Sequence, residues 1–130
     1  MALKLDLKPN ERLIVNGASI RNGDRRSTIV FENQCKFLRE REIIREVDAD
    51  TTAKKLCVTL QVVYLADDKL EAIQIFYEQA AELLKAAPSM APFMLAIQNE
   101  LEAERYHAAI KKARELIVYE QELLDQAIRN

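Results

Sequence analysis

The spacing of hydrophobic and polar residues changes near residue 66. Before it, apolar side chains alternate with polar ones, as in Leu3-Lys4-Leu5-Asp6-Leu7, and this period of two predicts half-buried β-strands. After it, leucine, isoleucine and alanine recur three and four positions apart, which is the spacing of one face of an α-helix. The sequence therefore predicts an α+β chain: a small N-terminal antiparallel β-sheet or half-barrel, followed by a C-terminal antiparallel helical array.

Turn residues divide the first part into about five short strands within residues 2–38. The chain has two glycines, and they form the pairs Asn16-Gly17 and Asn22-Gly23. Asn-Gly is the strongest short signal for a hairpin turn, because a two-residue type I′ turn needs positive φ at both central positions. With a further turn after Pro9, the predicted strands cover residues 3–7, 12–15, 18–21, 28–31 and 35–38.

Residues 53–65 fit two patterns. Leu56, Val58 and Leu60 alternate as in a strand, whereas Ala53, Leu56, Leu60 and Val63 follow helical spacing. The β-branched content favours a strand, while the length and the absence of turn residues favour a helix, with Thr52 as a candidate cap. The segment is interpreted as helix or strand, with helix preferred.

Three further helices follow. The first covers residues 67–87 and ends before Pro88, because proline cannot continue a helix. Ser89 is a candidate cap for the second, and the third begins near residues 102–105 and runs to about residue 129. Charged residues 39–46 and the acidic segment 48–52 mark a boundary, so we expect a β-rich region 1–46 and a helical region 47–130 within one compact domain.

Charge is distributed unevenly along the chain. Residues 1–46 carry 10 Lys and Arg against 7 Asp and Glu, whereas residues 47–130 carry 9 against 14. An anionic partner would therefore meet the β-rich region. Guanidinium binds phosphate bidentately and stays charged, so the candidate phosphate contacts of region 1–46 are Arg21, Arg25, Arg26, Arg39 and Arg41. On the residues alone, a nucleic-acid-binding protein and a protein-interaction module both stay open. In the alternative interpretation, the charges of residues 39–46 pair with one another.

The sequence predicts neither catalysis nor a metal or cofactor site. His107 is the single histidine, and no nucleophile and carboxylate accompany it in a recognisable arrangement. Cys35 and Cys57 lie in apolar segments without metal-ligand spacing, and both are expected to be buried, reduced thiols. Glu120 interrupts an apolar helical stripe and is expected to lie at its edge and reach water.

No targeting or membrane segment is expected. The N-terminus alternates leucine with charged residues instead of forming the apolar core of a signal peptide. No apolar stretch has the length that spans a bilayer. A cytoplasmic protein without membrane contact is therefore expected.

An ordered set of short segments resembles the FlbT family of bacterial flagellin regulators. In the first half these segments read Leu3-Lys4-Leu5-x-Leu7-Lys8-Pro9-x-Glu11, Val15-Asn16-Gly17-Ala18, Asn22-Gly23-Asp24-Arg25-Arg26 and Phe37-Leu38-Arg39-Glu40. In the second half they read Leu60-Gln61-x-x-Tyr64-Leu65, Phe76-Tyr77-Glu78 and the run from Tyr106 to Glu120. The resemblance extends over nearly the whole chain.

The resemblance implies a cytoplasmic, non-enzymatic regulator that acts after transcription. Its implied partner is the 5′ untranslated leader of flagellin messenger RNA, whose stability or translation it alters, with repression favoured over activation. The family has no agreed set of RNA-contacting residues, so the five arginines rest on their chemistry. The alternative is a protein-interaction adaptor in flagellar assembly that acts on RNA only indirectly, through a flagellar regulatory partner. A homodimer is also expected, because so small a sheet leaves edge strands open.

Overall fold

Within residues 2–129, which the computed structural model describes, five strands precede four α-helices. The strands are β1 (Leu3–Leu7), β2 (Arg12–Val15), β3 (Ala18–Arg21), β4 (Ser27–Phe31) and β5 (Phe37–Arg39). The helices are α1 (Thr52–Leu65), α2 (Leu70–Ala86), α3 (Ala91–Glu102) and α4 (Tyr106–Arg129). The predicted α+β order is confirmed, and the ambiguous segment 53–65 is helical.

The chain divides into two compact units, the first ending at Ile43 and the second beginning at Ile44. We call them the β unit and the helical unit. The β unit contains two small antiparallel sheets: β1 pairs with β4, and β2 lies between β3 and β5. Within residues 2–43, its buried side chains are four leucines, Leu5, Leu7, Leu13 and Leu38.

The two Asn-Gly pairs behave differently. Asn16 and Gly17 have φ of 49° and 85°, so the predicted type I′ turn joins β2 to β3. The second prediction is wrong, because neither Asn22 nor Gly23 has positive φ and β4 pairs with β1 instead of β3. The segment after β3 therefore crosses from one sheet to the other, and residues 22–26 form an exposed loop whose shape depends on other contacts.

In the helical unit, α1 packs against both α2 and α4, and α3 packs against α4. The apolar faces predicted from the helical spacing supply the core, with Leu56, Leu60, Phe76, Ile97 and Leu116 almost fully buried. Two predicted caps differ from the structure. Thr51, not Thr52, caps α1 by accepting a bond from the Lys54 N–H, and Ser89 accepts a bond from the Tyr119 hydroxyl instead of capping α3.

Candidate nucleic-acid interface

The side chain of Asn22 holds the loop between β3 and β4. Its Nδ2 donates to the carbonyl oxygens of Lys8 at 2.8 Å and Arg25 at 2.9 Å. Its Oδ1 accepts a hydrogen bond of 2.6 Å from the Ser27 hydroxyl. One amide group thus joins both ends of the loop to the turn that follows β1, which explains why asparagine is useful here without a hairpin turn.

Backbone hydrogen bonds fix the same loop from the other side. The Asn10 N–H donates to the Gly23 carbonyl at 2.8 Å, and the Asn22 N–H donates to the Glu11 carbonyl at 2.8 Å. Asn10 has a φ of 62°, the left-handed conformation that follows Pro9 in a tight turn. The loop of residues 22–26 therefore lies on the surface but is held at several points along its backbone.

This loop and the strand before it present three of the predicted contact residues. Arg21 ends β3, while Arg25 and Arg26 follow in the loop, and all three are exposed. Among the ion pairs of residues 2–129, none involves their guanidinium groups. Three cations on a fixed backbone are thus available to an anion from solution.

Arg39 differs from those three residues because its guanidinium is bonded within the β unit. Its Nη2 donates to the Asp6 carbonyl at 2.7 Å and to Glu11 Oε2 at 3.2 Å. Glu11 Oε1 accepts a further bond of 2.9 Å from the Lys8 N–H. That backbone bond, followed by Arg39, holds the pKa of Glu11 below its usual value. Arg39 and Glu11 thus connect β1, β2 and β5 (Phe37–Arg39).

Arg41 is exposed and lies beside an open pocket of about 220 Å³. The pocket is also lined by Lys8, Pro9, Glu11, Arg39 and Glu40. Its volume is below the roughly 300 Å³ at which small-molecule sites begin, so it suits a group of phosphate size better than a whole nucleotide. The cationic part of its lining is compatible with an anion.

The aromatic rings of the β unit do not form a platform for base stacking. Phe31 and Phe37 contact each other with ring centroids 5.1 Å apart, and both residues are half-buried. They pack between the strands, as a core role requires. Contacts from this unit to RNA would therefore be made mainly to the phosphate backbone, which carries no sequence information directly.

Sequence reasoning missed Arg12 as a candidate. Arg12 is exposed on β2, directly opposite Arg21 on β3. The hairpin turn could have identified this residue. If Asn16-Gly17 is a two-residue turn, residue 15 faces residue 18, and the same register places residue 12 opposite residue 21. The structure therefore adds Arg12 to the exposed arginines of the hairpin and the loop that follows it, Arg21, Arg25 and Arg26.

Among residues 2–129, the buried polar side chains are Gln61 and Glu120, both in the helical unit. The expectation that Glu120 reaches water is wrong. Glu120 is only 8% exposed, and its Oε2 accepts a 3.0 Å hydrogen bond from the Ala53 N–H in the first turn of α1. A buried carboxylate at a helix N-terminus satisfies an N–H that has no partner within the helix. Its role is structural, which the helical spacing of α4 alone does not reveal.

The two thiols differ in exposure, so the expectation of two buried cysteines is wrong for Cys35. Both are free, but Cys35 is half-exposed whereas Cys57 is buried in α1. Burial raises the pKa of Cys57 to about 11, so this thiol is protonated at neutral pH. His107 is half-buried and its ring contacts that of Tyr64 at 5.6 Å.

Between residues 2 and 129, no helix combines the length and the apolar character that crossing a bilayer requires.

Known proteins that are similar to this chain align with it over almost its whole length. A model of the family described as "Flagellar protein FlbT" matches residues 3–124. A protein of Bradyrhizobium diazoefficiens named "Probable flagellum biosynthesis repressor protein FlbT 1" is 35% identical, with 97% of this chain and 87% of the relative aligned. No solved structure matches the chain significantly.

Two further relatives carry similar names. The "Flagellum biosynthesis repressor protein FlbT" of Caulobacter vibrioides is 35% identical over 95% of this chain and 90% of its own length. The "Probable flagellum biosynthesis repressor protein FlbT" of Rhodopseudomonas palustris is 30% identical over 97% of this chain and all of its own. The similarity thus includes both the strands and the helices of this chain.

Proposed function

The chain belongs to the FlbT family of flagellar proteins, and we propose that it represses flagellin synthesis after transcription by binding the 5′ untranslated leader of flagellin messenger RNA. Its relatives are named as repressors of flagellum biosynthesis, which supports a regulator of flagellar gene expression and not an enzyme. The observation that carries the RNA-binding step is the fixed loop with Arg25 and Arg26, next to Arg21.

The loop suits a polyanion because the backbone that carries its cations is anchored before binding. A guanidinium that already pairs with a carboxylate must give up that bond to bind phosphate, whereas those of Arg21, Arg25 and Arg26 need not. The anchored backbone also reduces the conformational entropy lost on binding. Arg41 extends the contact to the pocket beside it, and Arg39 positions the neighbouring strands through Asp6 and Glu11.

A protein that contacts only the phosphates of RNA would bind any single-stranded RNA. Specificity for the flagellin leader then comes from the folded shape of the leader or from a second protein. Occupation of the leader would alter translation or the stability of the message, and repression follows from either effect. The protein needs no catalytic group for this action.

Salt dependence tests the proposed interface. Each phosphate contact with single-stranded RNA contributes about −0.7 to the slope of log affinity against log salt. Replacing Arg25 and Arg26 with alanine should remove about one to two such contacts and weaken binding to all RNA sequences alike. The measurement is a salt titration of both proteins on the leader of the flagellin transcript from the same genome.

A variant with the same charge change in the helical unit is the matched control. Lys85→Ala with Lys111→Ala removes two exposed cations from α2 and α4. This variant should keep the wild-type slope, and circular dichroism should show all three proteins folded. Equal affinity and slope for wild type and the Arg25→Ala/Arg26→Ala variant would place the RNA contact elsewhere.

One observation favours the alternative of an adaptor that reaches RNA only through a protein partner. Residues 47–130 carry five more acidic than basic residues, so this part of the chain repels RNA. Its exposed apolar side chains include Leu70 and Ile128, at 75% and 84% exposure. Crosslinking in cells separates the two functions: direct binding predicts flagellin leader fragments attached to this chain, and an adaptor predicts them on its partner.

A further inference from the structure

Arg12 and Arg21 occupy directly opposed positions in the β2–β3 hairpin. The two-residue turn at Asn16-Gly17 makes Val15 and Ala18 a hydrogen-bonded pair, and the pairs then alternate along the ladder. The Asn22 N–H bonds to the Glu11 carbonyl, which marks the next hydrogen-bonded pair beyond the arginines. Arg12 and Arg21 thus form a non-hydrogen-bonded pair, the type in which Cα atoms approach to about 4.5 Å and side chains lie closest.

Two like charges in this arrangement destabilise a sheet. No acidic side chain of residues 2–129 lies within ion-pair distance of either guanidinium. The nearest carboxylate along the chain, Glu11, is not available, because its two oxygens accept bonds from Lys8 and Arg39. A local arrangement that lowers the stability of the fold, and that no other contact in the fold offsets, is typical of a functional site.

We propose that Arg12 and Arg21 form a clamp that binds one phosphate group of the RNA backbone between them. This inference rests on the proposed function and adds a site to it. Two guanidinium groups on one face of a hairpin can each donate to a phosphate oxygen, and the phosphate charge relieves the repulsion between them. Arg21 is followed directly by the loop of residues 22–26, so the clamp continues the row of cations at Arg25 and Arg26.

The test compares the full-length protein with an Arg12→Gln/Arg21→Gln variant on the same flagellin leader RNA. The variant should bind about ten-fold more weakly at 50 mM salt, and the magnitude of its log–log salt slope should fall by about 0.7, the value of one phosphate. Arg12→Lys keeps the charge but loses the bidentate geometry, so its slope should stay near wild type while its affinity falls.

Thermal unfolding distinguishes a binding role from a structural one. Removing both opposed cations in Arg12→Gln/Arg21→Gln should leave the Tm unchanged or raise it, whereas loss of a structural pair would lower the Tm. The charge-matched control is Lys85→Gln/Lys111→Gln, which alters two exposed lysines of the helical unit and should keep wild-type binding.

The possible outcomes distinguish a failure of the proposed clamp from a failure of the proposed function on which it rests. If the wild-type protein fails to bind the leader, the proposed function is overturned. If the wild type binds but Arg12→Gln/Arg21→Gln keeps its affinity and slope, only the clamp is overturned. A fall in Tm together with weaker binding would likewise reject the clamp in favour of a structural pair. Binding of the wild type, but not of Arg12→Gln/Arg21→Gln, to an acidic protein segment instead of RNA would overturn the clamp and assign the two arginines to a protein contact.

Discussion

At the scale of single residues, Glu11 is a largely buried charged group of the β unit. Its side chain is only 11% exposed and accepts bonds from the Lys8 N–H and from Arg39. The backbone bond is the main reason that the pKa of Glu11 lies below its usual value. A lowered pKa in the folded state means that the ionised carboxylate stabilises the fold.

Glu11→Gln should lower the free energy of unfolding by about 1 kcal/mol at pH 7, because the amide has one uncharged acceptor oxygen and cannot accept both of the bonds that the carboxylate accepts. The stabilisation by the carboxylate is complete above the pKa of glutamate in the unfolded chain, about 4.3. It is lost as the pH falls through the lower pKa of the folded state. Urea unfolding of both proteins from pH 7 to pH 2.5 should show their difference shrinking with acidification.

The matched control is Glu32→Gln, because Glu32 follows β4 and is exposed. Its unfolding free energy should follow that of the wild type at every pH. If the difference between wild type and Glu11→Gln stayed constant down to pH 2.5, Glu11 would not be the charged group that these bonds stabilise.

Single residues also mark where sequence reasoning reached its limit. The exposure of Arg21, Arg25, Arg26 and Arg41 could be expected from their chemistry, whereas the exposed Arg12 was missed. The bonding of Arg39 to Glu11 could not, because the residues are 28 positions apart and meet only through the pairing of β2 with β5. Glu120 and Ala53 are 67 positions apart, so no local pattern contains their hydrogen bond.

At the scale of elements, α1 is held at both ends by charges from other parts of the chain. Glu120 accepts from the Ala53 N–H at its N-terminus. At its C-terminus, the ammonium group of Lys69 donates to the carbonyl oxygens of Val63 and Ala66, each at 2.6 Å. A negative charge at the first turn and a positive charge at the last both complement the helix dipole.

Glu120→Leu should lower the free energy of unfolding by about 2 kcal/mol, since it leaves a buried N–H without a partner. Glu120→Gln keeps an oxygen acceptor and should cost about 1 kcal/mol, the part that depends on charge. Urea unfolding followed by circular dichroism at 222 nm measures both values.

Glu122→Leu provides the control on the same helix, because Glu122 is exposed in α4. It should change stability by no more than about 0.5 kcal/mol. Equal stability of Glu120→Leu and Glu120→Gln would show that the hydrogen bond to Ala53 contributes nothing measurable.

The elements themselves were largely predictable, and the exceptions have physical causes. Strands and helices followed from the change in hydrophobic period, since burial on one face imposes it. Residues 53–65 were ambiguous because α1 is buried on two sides, against α2 and α4, which fills its sequence with apolar and β-branched residues. Asn22-Gly23 was misread because turn propensity does not specify which strand the next one pairs with.

At the scale of the whole molecule, the homodimer stays a prediction, and β3 is the strand best placed to mediate it. All four of its residues are exposed, and it lies at the edge of the sheet of β2, β3 and β5. Ser19 faces Ile14 in a non-hydrogen-bonded pair, so its N–H points away from β2 towards the open edge. A second copy can pair along that edge.

Ser19→Pro tests this arrangement, because proline removes an outward N–H that the pairing with β2 does not use. Light scattering at tens of micromolar should give twice the mass of the chain for the wild type and a single mass for Ser19→Pro. Ser19→Ala keeps the N–H and should remain dimeric. A monomeric wild type, or a dimeric Ser19→Pro variant, would contradict pairing through β3.

The bond between Ala53 and Glu120 also affects the order in which a newly made chain can fold. Every strand pairing of the β unit is complete once residue 39 has been synthesised. The hydrogen bond of the Ala53 N–H in the first turn of α1 cannot form until Glu120 has been made, 67 residues after Ala53. Because the N-terminal parts of a chain emerge from the ribosome first and fold as units, the loop with Arg25 and Arg26 forms while α4 is still being translated.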